Sequence, residues 1–346
     1  MTEKSQILVT GGAGYIGSHS VLALCQAGYE PIVVDNLDNS SHESIKRVES
    51  IVGRSIKFYK LDIRDHQKLK DVFINHSFAS VVHFCGLKAV GESVVYPLKY
   101  YENNLAGTIT LLKLMEDFQV TKMIFSSSAT VYGDPDEVPI KEDSKRFATN
   151  PYGRTKLMIE DICFDLANTK KRDNWQIALL RYFNPIGAHE SGLIGENPKG
   201  TPNNLMPFIL KVASGELDQL KVFGGDYPTN DGTGRRDYIH VMDLAEGHVA
   251  AIDWLESELL QGSICQAFNL GTGNSVSVLE LLQEFFLSTG VKVNYEIVDR
   301  REGDIAECYA DPSFANQILN WKTKRGLKEM IEDGWKWQTL NPNGYS

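Results

Sequence analysis

Tyr152 and Lys156 stand four residues apart in a stretch of helical character, so they share one face and lie about 6 Å from one another. A cation beside a phenol favours the phenolate. Poising a tyrosine near neutrality from about 10 takes roughly 3 pH units, or about 4 kcal/mol. The expectation is that Lys156, together with a positive nicotinamide ring, supplies that lowering in a partly desolvated cleft. Tyr152 is then a general base for a hydroxyl proton. Ser126-Ser127-Ser128 closes the fifth β-branched run, where one hydroxyl can reach a substrate oxygen beside Tyr152. Tyr-x-x-x-Lys also occurs on helices by chance, and serines also finish strands simply to satisfy the backbone. The chemistry rests on the combination.

The nicotinamide has its own signal. Thr10-Gly11-Gly12-Ala13-Gly14-Tyr15-Ile16-Gly17 directly follows the first apolar run, and satisfies Gly-x-Gly-x-x-Gly. Glycines permit a tight turn and close approach of backbone to pyrophosphate, while the following helix offers unpaired N–H groups and a positive dipole end. Asp35, with Asn36 behind it, ends the second run. An acid there accepts from a ribose 2′-hydroxyl and repels a 2′-phosphate, favouring NAD over NADP. Asp62-Ile63, after the third run, offers a hydrogen bond and packing to adenine; a helix-capping Asp is the bland alternative. Phe84 to Lys88, after the fourth run, fall where an open α/β sheet places its ligand crevice.

These groups need elements to hold them. Ile7-Leu8-Val9, Ile32-Val33-Val34, Phe58-Tyr59-Lys60-Leu61, Val81-Val82-His83-Phe84, Met123-Ile124-Phe125 and Ile177-Ala178-Leu179-Leu180 alternate with amphipathic stretches. That alternation predicts an α/β fold, a doubly wound parallel sheet of the Rossmann type. Helices are expected from Ala13 to Ala27, closed by Gly28, from Asn103 to Phe118, and from Tyr152 to Leu166, with Asn150 as N-cap and Pro151 at N1. Past residue 185 the texture turns to Gly, Pro and Asn, and Gly187 to Asn204 reads as a long loop. The expected division is a cofactor domain over 1–185 and a smaller α/β substrate domain over 186–346. The segment about 236–270 reads as helix then strand and can return to the first sheet. Asp243-x-x-Glu246 and Ser277-x-x-Glu280 have the spacing of capping boxes.

Composition narrows the class. In 346 residues, 42% hydrophobic and 23% charged, 35 Lys+Arg face 45 Asp+Glu for a net −10. That excludes a nucleic-acid binder working by phosphate neutralisation, and any phosphate ligand must be held by local Arg, Lys and backbone N–H groups. Cys25, Cys85, Cys163, Cys265 and Cys308 are scattered, with no Cys-x-x-Cys pair, as suits free thiols in a reducing compartment. The first residues do not make a signal peptide and no apolar run approaches the ~18 residues needed to span a bilayer, so the expectation is a cytoplasmic protein without a membrane partner. No His-Glu-x-x-His or comparable set points to a metal.

Dinucleotide turn, strand-end serine and Tyr-x-x-x-Lys in that order resemble the extended short-chain dehydrogenases/reductases. Longer motifs narrow the resemblance to the UDP-glucose (UDP-galactose) 4-epimerase family: Phe84-Cys85-Gly86-Leu87-Lys88-Ala89-Val90-Gly91-Glu92-Ser93, Ser126 to Gly133, Asn150-Pro151-Tyr152-Gly153, Arg181-Tyr182-Phe183-Asn184-Pro185, Asn203-Asn204-Leu205-Met206-Pro207 and Asp237-Tyr238-Ile239-His240-Val241. The likeness covers nearly the whole chain. It implies tightly bound NAD, with Tyr152 as base, Lys156 tuning it and contacting the nicotinamide ribose, and Ser128 holding O4 of a UDP-sugar. It adds Asn103, Tyr182 and Phe183 to the cofactor site alongside Tyr15 and Ile16. On the substrate side it implies Ala129, Thr130, Asn184, Asn203, Asn204, Leu205 and Lys221. Arg236 and Arg301 resemble the family's diphosphate ligands, Phe223 contacts uracil and Asp304 the uridine ribose. Cys308 stands where some members have a bulky Tyr and others a small residue, which implies room for a 2-acetamido group. Arg235 reads as an exposed neighbour. A dehydratase would need an extra acid and base beside Ser128, where this chain has Ala129 and Thr130; an NAD-sensing scaffold would not need Tyr152, Lys156 or the arginines. Related enzymes pair two long helices into a homodimer bundle, here Asn103–Phe118 and Tyr152–Leu166.

Overall fold

The computed structural model describes residues 5–169, 174–199, 202, 204–257, 260–301 and 303–345. Its first half runs β1 (Gln6–Thr10), α1 (Tyr15–Gln26), β2 (Glu30–Asp35), α2 (His42–Val52), β3 (Lys57–Lys60), α3 (His66–Asn75) and β4 (Phe78–His83). After β4 come two short helices, α4 (Val90–Val95) and α5 (Pro97–Tyr100), a π-helical turn (Tyr101–Ala106) and α6 (Gly107–Asp117). Then follow β5 (Lys122–Ser128), a 3₁₀ turn (Ala129–Tyr132), α7 (Pro151–Ala167) and β6 (Gln176–Tyr182). The strands form one parallel sheet in the order 3-2-1-4-5-6, extended by a late strand at the β6 edge. The order reverses between β1 and β4, which opens a crevice at their carboxyl ends. This is the doubly wound architecture that the alternating runs predict.

The second half begins with β7 (Asn184–Ile186), α8 (Leu205–Ala213), β8 (Leu220–Phe223), β9 (Arg235–Arg236), β10 (Tyr238–His240), α9 (Val241–Glu256) and β11 (Ile264–Leu270). It closes with β12 (Val276–Ser277), α10 (Val278–Thr289), β13 (Tyr295–Val298), β14 (Glu307–Cys308), α11 (Ser313–Ile318) and α12 (Leu327–Leu340). β11 is the late strand: it lies parallel to β6 from Ile264↔Gln176 to Leu270↔Tyr182. Small sheets, β10-β7, β12-β9-β14 and β13-β8, build the rest.

Local chemistry explains the boundaries. α7 starts where Asn150 accepts a hydrogen bond from the Gly153 amide at 2.9 Å, with Pro151 in the first turn, as expected of an N-cap and N1 pair. α1 starts at Tyr15 rather than Ala13, because Gly11 to Gly14 are spent in the turn and Gly14 is still extended. The helix expected over 103–118 is α6 preceded by the π turn; both asparagines of Asn103-Asn104 lie in that turn. Ser277 and Glu280 form the expected capping box. Asp243 and Glu246 do not. His240 is the N-cap of α9, accepting from the Met242 amide, and Asp243 lies inside the first turn. Its buried carboxylate accepts from the Lys324 and Arg325 amides and pairs with the Arg325 guanidinium. A full charge and two amides from the C-terminal region outcompete a local box.

Apolar clusters fill both faces of the large sheet. One joins α1, α2 and α9 to Val9, Val33, Val82 and Leu180; the other joins α3, α6 and α7 to Leu8, Ile32, Val81 and Phe125. A third, around Leu210, Val222, Leu281, Phe285 and Ile331, belongs to the second half. The strand ends that carry chemistry therefore rest on a packed interior and face the crevice.

Candidate active site

The glycine turn is shaped by contacts that no side chain could share. A Cβ on Gly17 would lie 2.3 Å from the Gly11 carbonyl oxygen, and Gly11 itself has φ +74°, which an L side chain rarely adopts. Gly14 caps α1 without any side-chain hydrogen bond, leaving the amides of Tyr15, Ile16 and Gly17 at an uncapped helix N-terminus. Asp35 is buried at the end of β2; its carboxylate accepts from the Ala13 and Leu37 amides and from Ser40 Oγ. The charge sits where a 2′-phosphate would need a cation. Uncapped amides at a glycine cradle beside a fixed carboxylate are the donor set a dinucleotide requires, so these residues fit NAD.

Along the crevice, Asn36 donates to Asp38, and Asp62 is taken up by Arg64. The Arg64 hydrogen bonds hold the Asp62 carboxyl below its ordinary range, against the effect of burial. Asp65, not Asp62, caps α3. Ile63 is buried against Gly107. Phe84 packs at 4.8 Å from the His248 ring, and Lys88 reaches Glu196 at 3.3 Å. Asn103 lies half-buried in the π turn.

At the catalytic end, Ser128 pairs in register with Tyr182. The Ser128 hydroxyl oxygen accepts from the Thr130 amide and Oγ1, and Ser128 lies close enough to the Tyr152 phenol to work against its rise. Lys156 is buried, donates to the Ser126 carbonyl at 2.7 Å and lies 6.0 Å from the centre of the Tyr152 ring. Burial raises the Tyr152 phenol above its ordinary value, and only Ser128 works downward. Burial also pushes Lys156 down to about 8, with Cys85 and Glu160 opposing. Desolvation therefore outweighs the neighbouring ammonium in the protein by itself. His83 bridges Thr10 and Thr108; the Thr108 hydroxyl donates to the Asn104 carbonyl, so His83 Nε2 donates to Thr108 and Nδ1 accepts from Thr10. Burial, reinforced by Lys156, pushes it down to about 3, and it stays neutral.

The substrate-side residues gather in two groups. Arg301 lies 5.4 Å over the Phe223 ring and donates to Asp304 at 3.0 Å. Lys221 and Phe223 alternate with buried Leu220 and Val222, so both face outward from β8. The second group is Arg236, paired in register with Cys308, its guanidinium donating to the Arg235 and Ile305 carbonyls. Cys308 and Ala129 both pack on the cluster of Val131, Tyr132, Ile140, Phe183 and Ala310. That places Cys308 and Phe183 beside the turn after Ser128. Asn184 follows Phe183 in β7, its amide donating to the Asp237 carbonyl. Asn204 caps the start of α8, where Leu205 is first; Asn203 lies outside the described residues. Arg235 is not an exposed neighbour: it donates to Ser275 and Glu280 and pairs with Glu307.

Four residues complete the site that sequence reasoning passed over. Asn104 accepts from the Leu87 amide and donates to the Leu87 carbonyl and Thr155, whose hydroxyl donates to the Tyr152 carbonyl. It ties the loop bearing Lys88 to the helix bearing Tyr152. One Glu196 oxygen accepts from both Lys88 and Asn204. Glu160 and Arg181 pair in the interior behind the serines. An arginine inside an apolar strand run was the available signal for that pair, since a buried guanidinium demands an acid.

The chain is 56% identical to a UDP-glucose 4-epimerase of Bacillus subtilis over 98% of each chain. The UDP-glucose 4-epimerase from Bifidobacterium longum, solved in complex with NAD+ and UDP, superposes with a TM-score of 0.93 at 50% identity, over 98% of this chain and 100% of that one. The chain belongs to the UDP-glucose 4-epimerase family. The epimerase from Stenotrophomonas maltophila, solved with NAD and formylated UDP-arabinopyranose, matches at TM-score 0.94 and 49% identity, over 98% and 99% of the two chains. Residues 8–334 also match the broader family model described as GDP-mannose 4,6 dehydratase. Within that breadth the epimerase family is the one that Ser128-Ala129-Thr130 fits, since neither residue after the serine is an acid or a base.

Gly17→Ala tests the cradle. The substitution forces a carbon onto the Gly11 carbonyl, so the variant is expected to purify with under a tenth of the native content of bound nicotinamide, read from its ultraviolet spectrum. Full retention would refute the account of the turn.

Proposed function

We propose that this protein interconverts UDP-glucose and UDP-galactose by oxidising C4, letting the 4-keto sugar turn over, and reducing the opposite face. The observation that carries the reading is the convergence of Ser128, at the end of β5, on the Tyr152 phenol, with Lys156 anchored behind them on the Ser126 carbonyl and the glycine cradle alongside. The cofactor is NAD, held by the Gly11–Gly17 turn, Asp35, Phe84, Lys88, Asn103, Lys156, Tyr182 and Phe183. Bound NAD supplies a reversible hydride acceptor and the positive ring that offsets burial of the phenol.

Tyr152 takes the O4 proton and returns it, and Ser128 holds O4 against it. Lys156 is anchored on the Ser126 carbonyl, which fixes its ammonium for the nicotinamide ribose. Burial excludes water, so the proton taken from O4 is held on Tyr152 until it is returned to O4. Arg236, Arg301, Asn184 and Asn204 anchor the UDP, with Phe223 on uracil, Asp304 on ribose, and Lys221 beside them. Arg301 and Phe223 stand at the outer face, so the nucleotide is gripped at a distance from the catalytic groups and the sugar is left free to turn. Dehydration is disfavoured because Ala129 and Thr130 offer no second acid or base.

Three finer statements join this reading. Small Cys308 beside Ala129 leaves room for a 2-acetamido group, so UDP-N-acetylglucosamine is also a substrate. Two copies pair through α6 and α7: Ile109 of α6 and Met158 of α7 are 39% and 42% exposed. A hollow of about 160 Å³ lined by Ile109, Leu112, Ile162 and Leu166 separates the two helices. The compartment is the cytoplasm, which the free thiols of Cys85, Cys163, Cys265 and Cys308 suit; no helix among the described residues is long and apolar enough to cross a membrane.

The main test uses UDP-galactose deuterated at C4, without added NAD. The label is expected to remain at C4 of the UDP-glucose formed, and Tyr152→Phe to lower kcat by about 10³-fold; deuterium lost to water, or an active Tyr152→Phe, would overturn the reading. Native protein is expected to turn over UDP-N-acetylglucosamine, and Cys308→Tyr to lose that substrate while keeping UDP-glucose. No turnover by the native chain ends the specificity claim. Sedimentation is expected to give twice the chain mass, falling to the chain mass in Ile109→Glu/Met158→Glu; a native monomer at micromolar concentration rules out the pairing.

A further inference from the structure

Glu160 lies one turn beyond Lys156 on α7 and is fully buried. Its Oε1 accepts from Ser127 Oγ at 2.5 Å and from Arg181 Nε at 2.9 Å. Its Oε2 accepts from Arg181 Nη2 at 2.8 Å and from Arg146 Nη1 at 3.1 Å. Arg181, in the middle of the interior, spends its remaining donors on the Tyr132 hydroxyl and the Glu142 carbonyl, and Tyr132 donates onward to Asn269 of β11. Burial, the largest single influence, would lower the Arg181 guanidinium; the hydrogen bonds and charge of Glu160, joined by Tyr132, together outweigh it and hold the guanidinium raised.

Such a pair is expensive. Two desolvated charges seldom stabilise a fold more than well-packed apolar residues of the same volume. What this pair does that apolar residues cannot is geometric. Ser127 is the residue before Ser128, and Glu160 is on the helix face of Tyr152 and Lys156. The carboxylate therefore spans the two elements whose relative placement sets the reacting groups.

We propose that Glu160 is the positioning residue of the epimerisation site: with Arg181 it locks Ser127 of β5 to α7, so that Ser128 meets Tyr152, and it presents a negative charge to Lys156. The proposal rests on the reading of Ser128, Tyr152 and Lys156 as the reacting groups. The groups facing Lys156 are His83 and Cys85 from β4 and the loop after it, the Ser126 carbonyl and Phe125 ring from β5, and Tyr152 and Glu160 from its own helix. His83 is neutral, and burial raises Cys85 and Tyr152. Glu160, whose oxygens accept from the Arg181 and Arg146 guanidiniums, is then the carboxylate among these groups. Removing it takes away a favourable partner and leaves the Arg181 guanidinium uncompensated. Both changes push Lys156 further below the value of about 8 that burial gives it, so the ammonium is lost at lower pH.

The test compares native holoenzyme with Glu160→Gln and with Glu160→Gln/Arg181→Met, which removes both charges together and leaves no unpaired ion in the interior. Lys156 is followed by NMR of ε-¹³C-labelled lysine, alongside kcat and KM from neutral to alkaline pH. Expected are a Lys156 titration lowered by at least about half a pH unit, an alkaline limb of kcat lowered with it, and kcat reduced about tenfold at unchanged KM. A Lys156 titration unmoved in both variants overturns the proposal, as does a loss confined to KM. If Lys156 moves while the limb of kcat stays in place, the charge relation is supported and the assignment of Lys156 to the reaction is what fails.

Discussion

Lys156 donates to the Ser126 carbonyl and Ser127 donates to Glu160, so two successive residues of β5 are fastened to one face of α7 through groups that water does not reach. A shift of α7 along the strand would strand a carboxylate, an ammonium and a hydroxyl in the interior at once, each costing on the order of 1–3 kcal/mol or more. The helix therefore has one seating. Ser128 and Tyr152, the next residue of that strand and the preceding turn of that helix, inherit their mutual distance from it. Asn104 fixes the same helix to the loop that follows β4, through Thr155 and the Tyr152 carbonyl.

Desolvation is the other side of this arrangement. The burial that makes the seam rigid also moves Tyr152 up and Lys156 down, in the direction that disfavours phenolate and ammonium alike. A site built in this way is quiet until a positive charge enters the crevice. That suits a reaction in which Tyr152 must be a base only while the nicotinamide is positive and an acid for as long as the ketone lasts. The neutral His83, the raised Cys85 and the Asn104 amide keep the surroundings of Lys156 free of competing charge, apart from Glu160.

What the sequence made legible was short-range. The glycine turn, Asp35, Ser128 and the Tyr152–Lys156 spacing all express their chemistry within a strand end or a helix turn, and the period of the apolar runs placed them on the right elements. What escaped was set by partners far along the chain. Asp243 looked like a helix cap because its partners, Lys324 and Arg325, are some eighty residues away, and Arg235 looked exposed because Ser275, Glu280 and Glu307 could not be seen beside it. Spacing reports which charge is near Tyr152 but not how much water has been removed from it, so the upward pull of burial on the phenol was not legible. Asn104 was masked by Asn103, its neighbour in a turn whose wider pitch no helical period reveals.

The strand β11 arrives more than eighty residues after β6, yet it covers the whole length of β6 and its Asn269 receives the Tyr132 hydroxyl. During synthesis the edge of β6 is thus bare until Leu270 has left the ribosome, an invitation to pair with the wrong chain. Severing the molecule at the apparent seam between its halves would make that exposure permanent. A fragment ending near residue 185 would lack the strand that pairs with β6.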